Sequence, residues 1–130
     1  MGAAIDFLSS VGMNEVRSHE IELTTYAYNI LTERHGKDLT IHGPTDPDLR
    51  GATFSFAFRD VHPHDIGQVL DQRNVCVRSG HHCAKPLMRM IGANATVRAS
   101  MYVYSTKDDV HALSDALGDV DAMFSSATQL

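Results

Sequence analysis

The stretch ATFSFAF, residues 52–58, limits the possible folds most narrowly, because Phe54, Phe56 and Phe58 alternate with Thr53, Ser55 and Ala57. Successive side chains of a strand point to opposite faces, so the three rings must share one buried face while the other face stays small and polar. Such a strand needs neighbouring strands and an apolar layer over one side only. Helices can supply that layer. Val16, His19, Leu23, Tyr26, Ala27 and Ile30 recur at steps of three and four, which predicts an amphipathic helix from an Asn14 cap to Arg34, closed by Gly36. A shorter helix over Ala3 to Ser10 should precede it and end at Gly12 in the left-handed conformation.

Beyond these, DLTIHG reads as a short strand and GPTDPDLRG, with its prolines, glycines and aspartates, as a turn. Pro63 opens a helix with Ile66, Val69 and Leu70 on one side, and VCVR (75–78) follows as a strand. The remaining expectations are a short helix over Pro86 to Met90, a strand around ATVRASMYVY, and a last helix from Lys107 to Phe124. Thr106 is the cap of that helix and Asp108 and Asp109 lie in its first turn, while the closing SSATQL frays. Short connections between mixed elements predict an α+β fold: a small mixed sheet with helices packed mainly on one side.

At 130 residues with 43% hydrophobic content, the chain suits one domain, residues 1–130, with one modest core. A net charge of −5 without any concentration of Lys and Arg argues against nucleic acid. No apolar run reaches the ~20 residues of a membrane span, and the start lacks a basic region before its apolar residues, so neither membrane nor signal peptide is expected. Cys76 and Cys83 sit in unlike contexts, which suggests free thiols in a reducing compartment, by default the cytoplasm. Cys76, between Val75 and Val77, reads as a buried structural thiol.

Cys83 lies in VRSGHHCAKPLM, residues 77–88, where it could be a nucleophile, a metal ligand or a small structural residue. Arg78, His81 and His82 can bring positive charge to it and the following helix adds its dipole, which together should favour the reactive thiolate. Gly80 allows the sharp bend that lifts the sulfur off its strand. Zinc takes Cys and His, but consecutive His81, His82 and Cys83 do not converge easily on one ion, and structural sites usually show spaced ligand pairs. His62 and His64 of VHPHD could add ligands or simply form a polar helix entry.

VRSGHHCAKPLM, followed fifteen positions after the cysteine by Arg98 in VRASMYVYSTKDDV, closely resembles SUF-type (group II) cysteine desulfurases of the class V aminotransferase group. GPTDPDLRGATFSF and VHPHDIGQVLD match the same family upstream, so the resemblance covers nearly the whole chain. It implies the small C-terminal domain of a fold-type I pyridoxal-phosphate enzyme. In that chemistry an enzyme thiolate attacks the sulfur of substrate cysteine, leaving alanine and an enzyme persulfide destined for iron-sulfur cluster assembly. Cys83 occupies the nucleophile position and Arg98 that of the residue holding the substrate carboxylate, a task its planar fork of donors suits. A strand-end salt bridge is the ordinary alternative for Arg98.

The resemblance further implies a large cofactor-binding domain, a homodimeric parent, and an acceptor protein of the SUF system whose zinc His64 could bind transiently. A plain surface histidine is the alternative for His64. Pyridoxal phosphate needs a lysine, and Lys37, Lys85 and Lys107 all lie in settings unlike the family's cofactor lysine. The cofactor is therefore expected in the parent enzyme and not bound to this chain alone, which should be inactive by itself. Two other readings compete: a stand-alone sulfur carrier or docking module, and a small metal-binding domain using His62, His64 and the HHC cluster.

Overall fold

The computed structural model describes residues 1–127. Helices α1 (Gly2–Val11) and α2 (Met13–His35) lead into strand β1 (Leu39–His42), a 3-10 turn at Pro47–Leu49 and strand β2 (Thr53–Phe58). Helix α3 (Pro63–Gln72), strand β3 (Arg78–Gly80), helix α4 (Lys85–Met90), strand β4 (Thr96–Ser100) and helix α5 (Lys107–Ala127) complete the chain. The sheet order is β1-β2-β4-β3. All three ladders are antiparallel, so the sheet is not the mixed one expected, although the α+β class and the one-sided helical layer stand. β4 inserts between β2 and β3, which removes the parallel neighbours that the intervening helix α3 would otherwise have joined.

Phe54, Phe56 and Phe58 are buried on the face covered by α2, α3 and α5, among Leu23, Ala27, Leu31, Ile66, Leu70, Val97 and Leu117. Burying each ring contributes roughly 1.5–3 kcal/mol, so β2 is the axis of the core. Register carries this pattern across the sheet: Leu39 faces Phe58, Ile41 faces Phe56, and Val97 faces Phe56 from the other side.

Helix boundaries differ from expectation in physical detail. α2 begins at Met13, with Gly12 at the cap position and no side-chain cap bond, so Asn14 lies inside the helix. Gly12 has φ 92° as foreseen but ψ 123°, which swings the chain directly from α1 into α2 in place of a left-handed close. β4 stops at Ser100, because the chain turns over Tyr102 to Ser105, where the Ser105 N–H donates to the Tyr102 carbonyl at 2.9 Å. α5 extends through Ala127, so the first residues of SSATQL are helical, and the rest of that segment lies outside the described residues. Asp109 Oδ2 accepts from the Thr106 backbone N–H at 2.7 Å and its hydroxyl at 3.2 Å, anchoring the start of α5.

The loop GPTDPDLRG is more than a turn. Arg50 is buried, donates from Nη1 to the Pro44 carbonyl at 2.8 Å and from Nη2 to the Thr53 carbonyl at 2.9 Å, and lies 4.5 Å from the Phe54 ring centroid. It ties the loop to the first residue of β2 through cation–π and charge-assisted bonds.

Candidate functional site

Directly opposed residues on neighbouring strands share a face. The ladders pair His42 with Ser55, Ser55 with Arg98, and Arg98 with Arg78, so these four form one row across all four strands. That row lies on the side opposite the phenylalanines, which α2, α3 and α5 leave bare. Neither arginine makes an ion pair with a carboxylate among the described residues, which removes the salt-bridge alternative for Arg98. Arg98 Nε is buried without a hydrogen-bond partner, and so is His42 Nε2. Two arginines on paired positions of neighbouring strands, one with an orphaned donor, form a setting that an anionic ligand would satisfy.

The turn carrying Cys83 hangs from β3 over the end of β4. Gly80, paired with Thr96, has φ 127°, a value that favours glycine, and begins the bend. His82 and Cys83 follow in the left-handed region at φ 54° and 57°, a conformation costing roughly 1 kcal/mol or more per non-glycine residue. The Ala84 N–H donates to the His81 carbonyl at 2.8 Å, and the Cys83 N–H donates to His81 Nδ1 at 3.2 Å. His82 Nε2 lies 2.9 Å from Thr96 Oγ1. Cys83 is exposed, and Arg78 Nη2 donates to its sulfur at 3.9 Å. Cys83, Arg78, Gly80, His81, His82 and Arg98 are thus gathered at one end of the bare face.

One expectation about this cluster changes. Burial, and then the Arg98 charge, hold the His82 imidazole below its ordinary pKa, so it is neutral at physiological pH. Positive charge beside the thiol comes from Arg78.

His62 and His64 lie at the entry of α3. His62 is the cap, its Nδ1 accepting from the His64 N–H at 3.2 Å, and the two rings stack at 5.3 Å with an interplanar angle of 13°. The polar-helix-entry reading therefore describes His62, while His64 remains exposed. This entry is locked to the strand below the cysteine turn: Ser79 Oγ donates to the Pro63 carbonyl at 2.7 Å, and Gly67 lets α3 approach so closely that a Cβ there would stand 2.7 Å from Ser79 Oγ. No three His, Cys, Asp or Glu side chains come together as a metal site among the described residues, so the metal-binding alternative lacks its cluster.

Cys76 corrects another expectation: it is exposed. The ladder with β4 begins at Arg78, and residues 74–77 splay away from Ala99, Ser100 and Met101, opening a cleft of about 350 Å3 where a continued strand would have closed the core. Thr96 and Ser79 were not foreseen as site residues. The His82–Thr96 contact spans fourteen positions and leaves no local sequence signal.

The lysines do not suit pyridoxal phosphate. Lys107 pairs with Glu22 at 2.8 Å beside the Tyr26 ring, Lys37 sits in the turn after α2, and Lys85 is the exposed first residue of α4; none stands on a strand of the arginine row.

Residues 1–113 match aminotransferase class-V, and the chain belongs to that family. It is 50% identical over 124 residues to a probable cysteine desulfurase of Streptomyces coelicolor, covering 95% of this chain and 29% of that one. A probable cysteine desulfurase of Halalkalibacterium halodurans is 47% identical, with 90% of this chain and 28% of that one covered. Among solved structures, the apo cysteine desulfurase of Thermococcus onnurineus superposes with a TM-score of 0.81 at 32% identity, over 93% of this chain and 29% of that one. The Escherichia coli cysteine desulfurase in an S-sulfonic acid form gives 0.80 at 30% identity, over the same shares of the two chains. The chain thus spans under a third of the length of these relatives.

Proposed function

We propose that this chain is the C-terminal persulfide-carrying domain of a pyridoxal-phosphate-dependent cysteine desulfurase, serving iron-sulfur cluster assembly. The observation that carries the reading is the exposed Cys83, on its left-handed turn, at the end of a bare sheet face that also holds Arg98 with an orphaned buried Nε. Arg98 holds the carboxylate of substrate cysteine in a two-pronged grip. Arg78, donating to the sulfur, stabilises the Cys83 thiolate. The thiolate forms a sulfur–sulfur bond with the substrate as the substrate carbon–sulfur bond breaks. The electron pair of that bond stays on carbon, which takes up a proton and leaves as alanine. No external oxidant is required, because the carbon is reduced as the transferred sulfur is oxidised.

Pyridoxal phosphate would act as the sink for that electron pair, and it belongs to the rest of the parent enzyme. The bare face meets that large domain, and without it the chain does not turn over. A sulfur acceptor of the SUF system collects the persulfide at the exposed thiol in a reducing, cytoplasmic setting, with His64 offering a transient ligand to the acceptor's zinc. The parent acts as a homodimer.

Intact mass of the chain, mixed with a catalytic amount of a complete active desulfurase and cysteine, tests the reading. One added sulfur atom is expected in the Cys76→Ser variant and none in Cys83→Ser. An adduct that persists in Cys83→Ser but vanishes in Cys76→Ser would overturn it.

A further inference from the structure

We propose that His82 is a positioning residue: its ring clips the Cys83 turn to Thr96, holding the thiol in register with the strand that carries Arg98. The inference deepens the reading of Cys83 as the sulfur-accepting thiol and rests on it. Three independent features converge. His82 and Cys83 are consecutive non-glycine residues at positive φ, and such a pair persists only when its surroundings hold it. Among the described residues, the side-chain bond from this pair to β4 is His82 Nε2 to Thr96 Oγ1 at 2.9 Å, the contact of Arg78 Nη2 with Cys83 Sγ at 3.9 Å reaching only the edge strand β3, and Thr96 is fully buried. Thr96 stands two residues from Arg98, hence on the same face of β4.

The ring's protonation follows from its surroundings. His82 Nδ1 is buried without a partner. Were Nδ1 to carry the proton, a buried N–H would be left without an acceptor, whereas an Nε2–H has one in Thr96 Oγ1. The tautomer is therefore Nε2–H, donating to Thr96 Oγ1. Burial keeps the ring uncharged, so it fixes the turn without adding a third cation to the Arg78 and Arg98 pair. A lysine or arginine at 82 could reach Thr96 only by adding that charge.

The clip makes a prediction about the thiol that needs no desulfurase chemistry. In the chain carrying Cys76→Ser, Cys83 is the sole thiol, and its alkylation by iodoacetamide reports the thiolate held beside Arg78. Arg78→Gln should slow alkylation about threefold, the scale of an exposed charge interaction. In Thr96→Val, which keeps the β-branched shape but removes the hydroxyl, Arg78→Gln should have almost no effect, because the thiol has left its place. Thr96→Ser should restore the threefold dependence. His82→Asn, which tolerates positive φ but is too short to reach Thr96, should behave as Thr96→Val does.

Circular dichroism at the assay temperature selects variants that remain folded, and Thr96→Val and His82→Asn are alternative routes to the same loss. Full Arg78 dependence in either folded variant, Thr96→Ser failing to restore it, or no Arg78 dependence in the starting protein would each overturn the clip. Any of these would leave the sulfur-adduct result for Cys83 untouched, and an adduct that persists in Cys83→Ser would leave the alkylation pattern untouched, so the two failures are distinguishable.

Discussion

Gly67 and Ser79 set the distance between α3 and the strand that supports the cysteine turn, and a double-mutant cycle measures that coupling. In isolation, Gly67→Ala should stabilise a mid-helix position by about 1 kcal/mol. Here the new methyl would stand 2.7 Å from Ser79 Oγ, well inside contact distance. The hydroxyl must then rotate away from the Pro63 carbonyl it now meets at 2.7 Å. Losing that bond and leaving the half-buried hydroxyl poorly paired costs about 2 kcal/mol, so Gly67→Ala should be destabilising by about 1 kcal/mol net. Ser79→Ala alone loses the bond and should cost about 1 kcal/mol. With both changes, the new methyl meets the residue 79 Cβ at an ordinary 3.9 Å, and the helical gain is recovered. The double variant should therefore sit near the starting protein, against a sum of about 2 kcal/mol for the single changes. At about 4 °C per kcal/mol for a chain of this size, each single variant melts about 4 °C lower and the double variant within about 2 °C of the original. Urea denaturation followed by circular dichroism gives the free energies. Additivity within about 0.5 kcal/mol would refute the close approach of α3 to β3.

Two further outcomes follow from other parts of the molecule. Burial holds His35 below its ordinary pKa of 6.5, so the unfolded chain binds more protons there, and stability should fall as pH drops below about 6.5. The urea midpoint should be lower at about pH 5.5 than at about pH 7.5, and His35→Gln, whose amide can still donate to the Ser114 carbonyl that His35 meets at 2.9 Å, should narrow that difference; an unchanged difference counts against the assignment. Cys76 and Cys83 are both exposed, so Ellman's reagent should modify both thiols in the native protein, and a second thiol that appears only in denaturant would contradict the splayed segment at 74–77.

The alternation of Phe54, Phe56 and Phe58 was readable because burial on one face leaves a period of two, and the stripe of α2 because burial on one side leaves a period near 3.6. Cys83, Arg78 and Gly80 were readable as a cluster because they lie within six residues of one another. Cys76 was misread because alternation with two valines resembles a paired strand, and only the register of β4 reveals that the ladder begins two residues later. The burial of Arg50 was equally hidden: its partners are the carbonyls of Pro44 and Thr53, and backbone acceptors carry no residue signature. The row from His42 to Arg78 joins four strands, and no local pattern encodes which positions a ladder will set side by side.

β3 is only three residues long and forms one margin of the sheet, paired as a strand with β4 only. Segments with so few backbone bonds open and close on their own, at a free energy far below that of unfolding the whole molecule. Its amides should exchange with solvent hydrogen much sooner than those of β2, which is paired on both sides. The cysteine turn is suspended from this short margin, so its place on the sheet depends on the His82–Thr96 contact to β4 more than on the few backbone bonds of β3 itself.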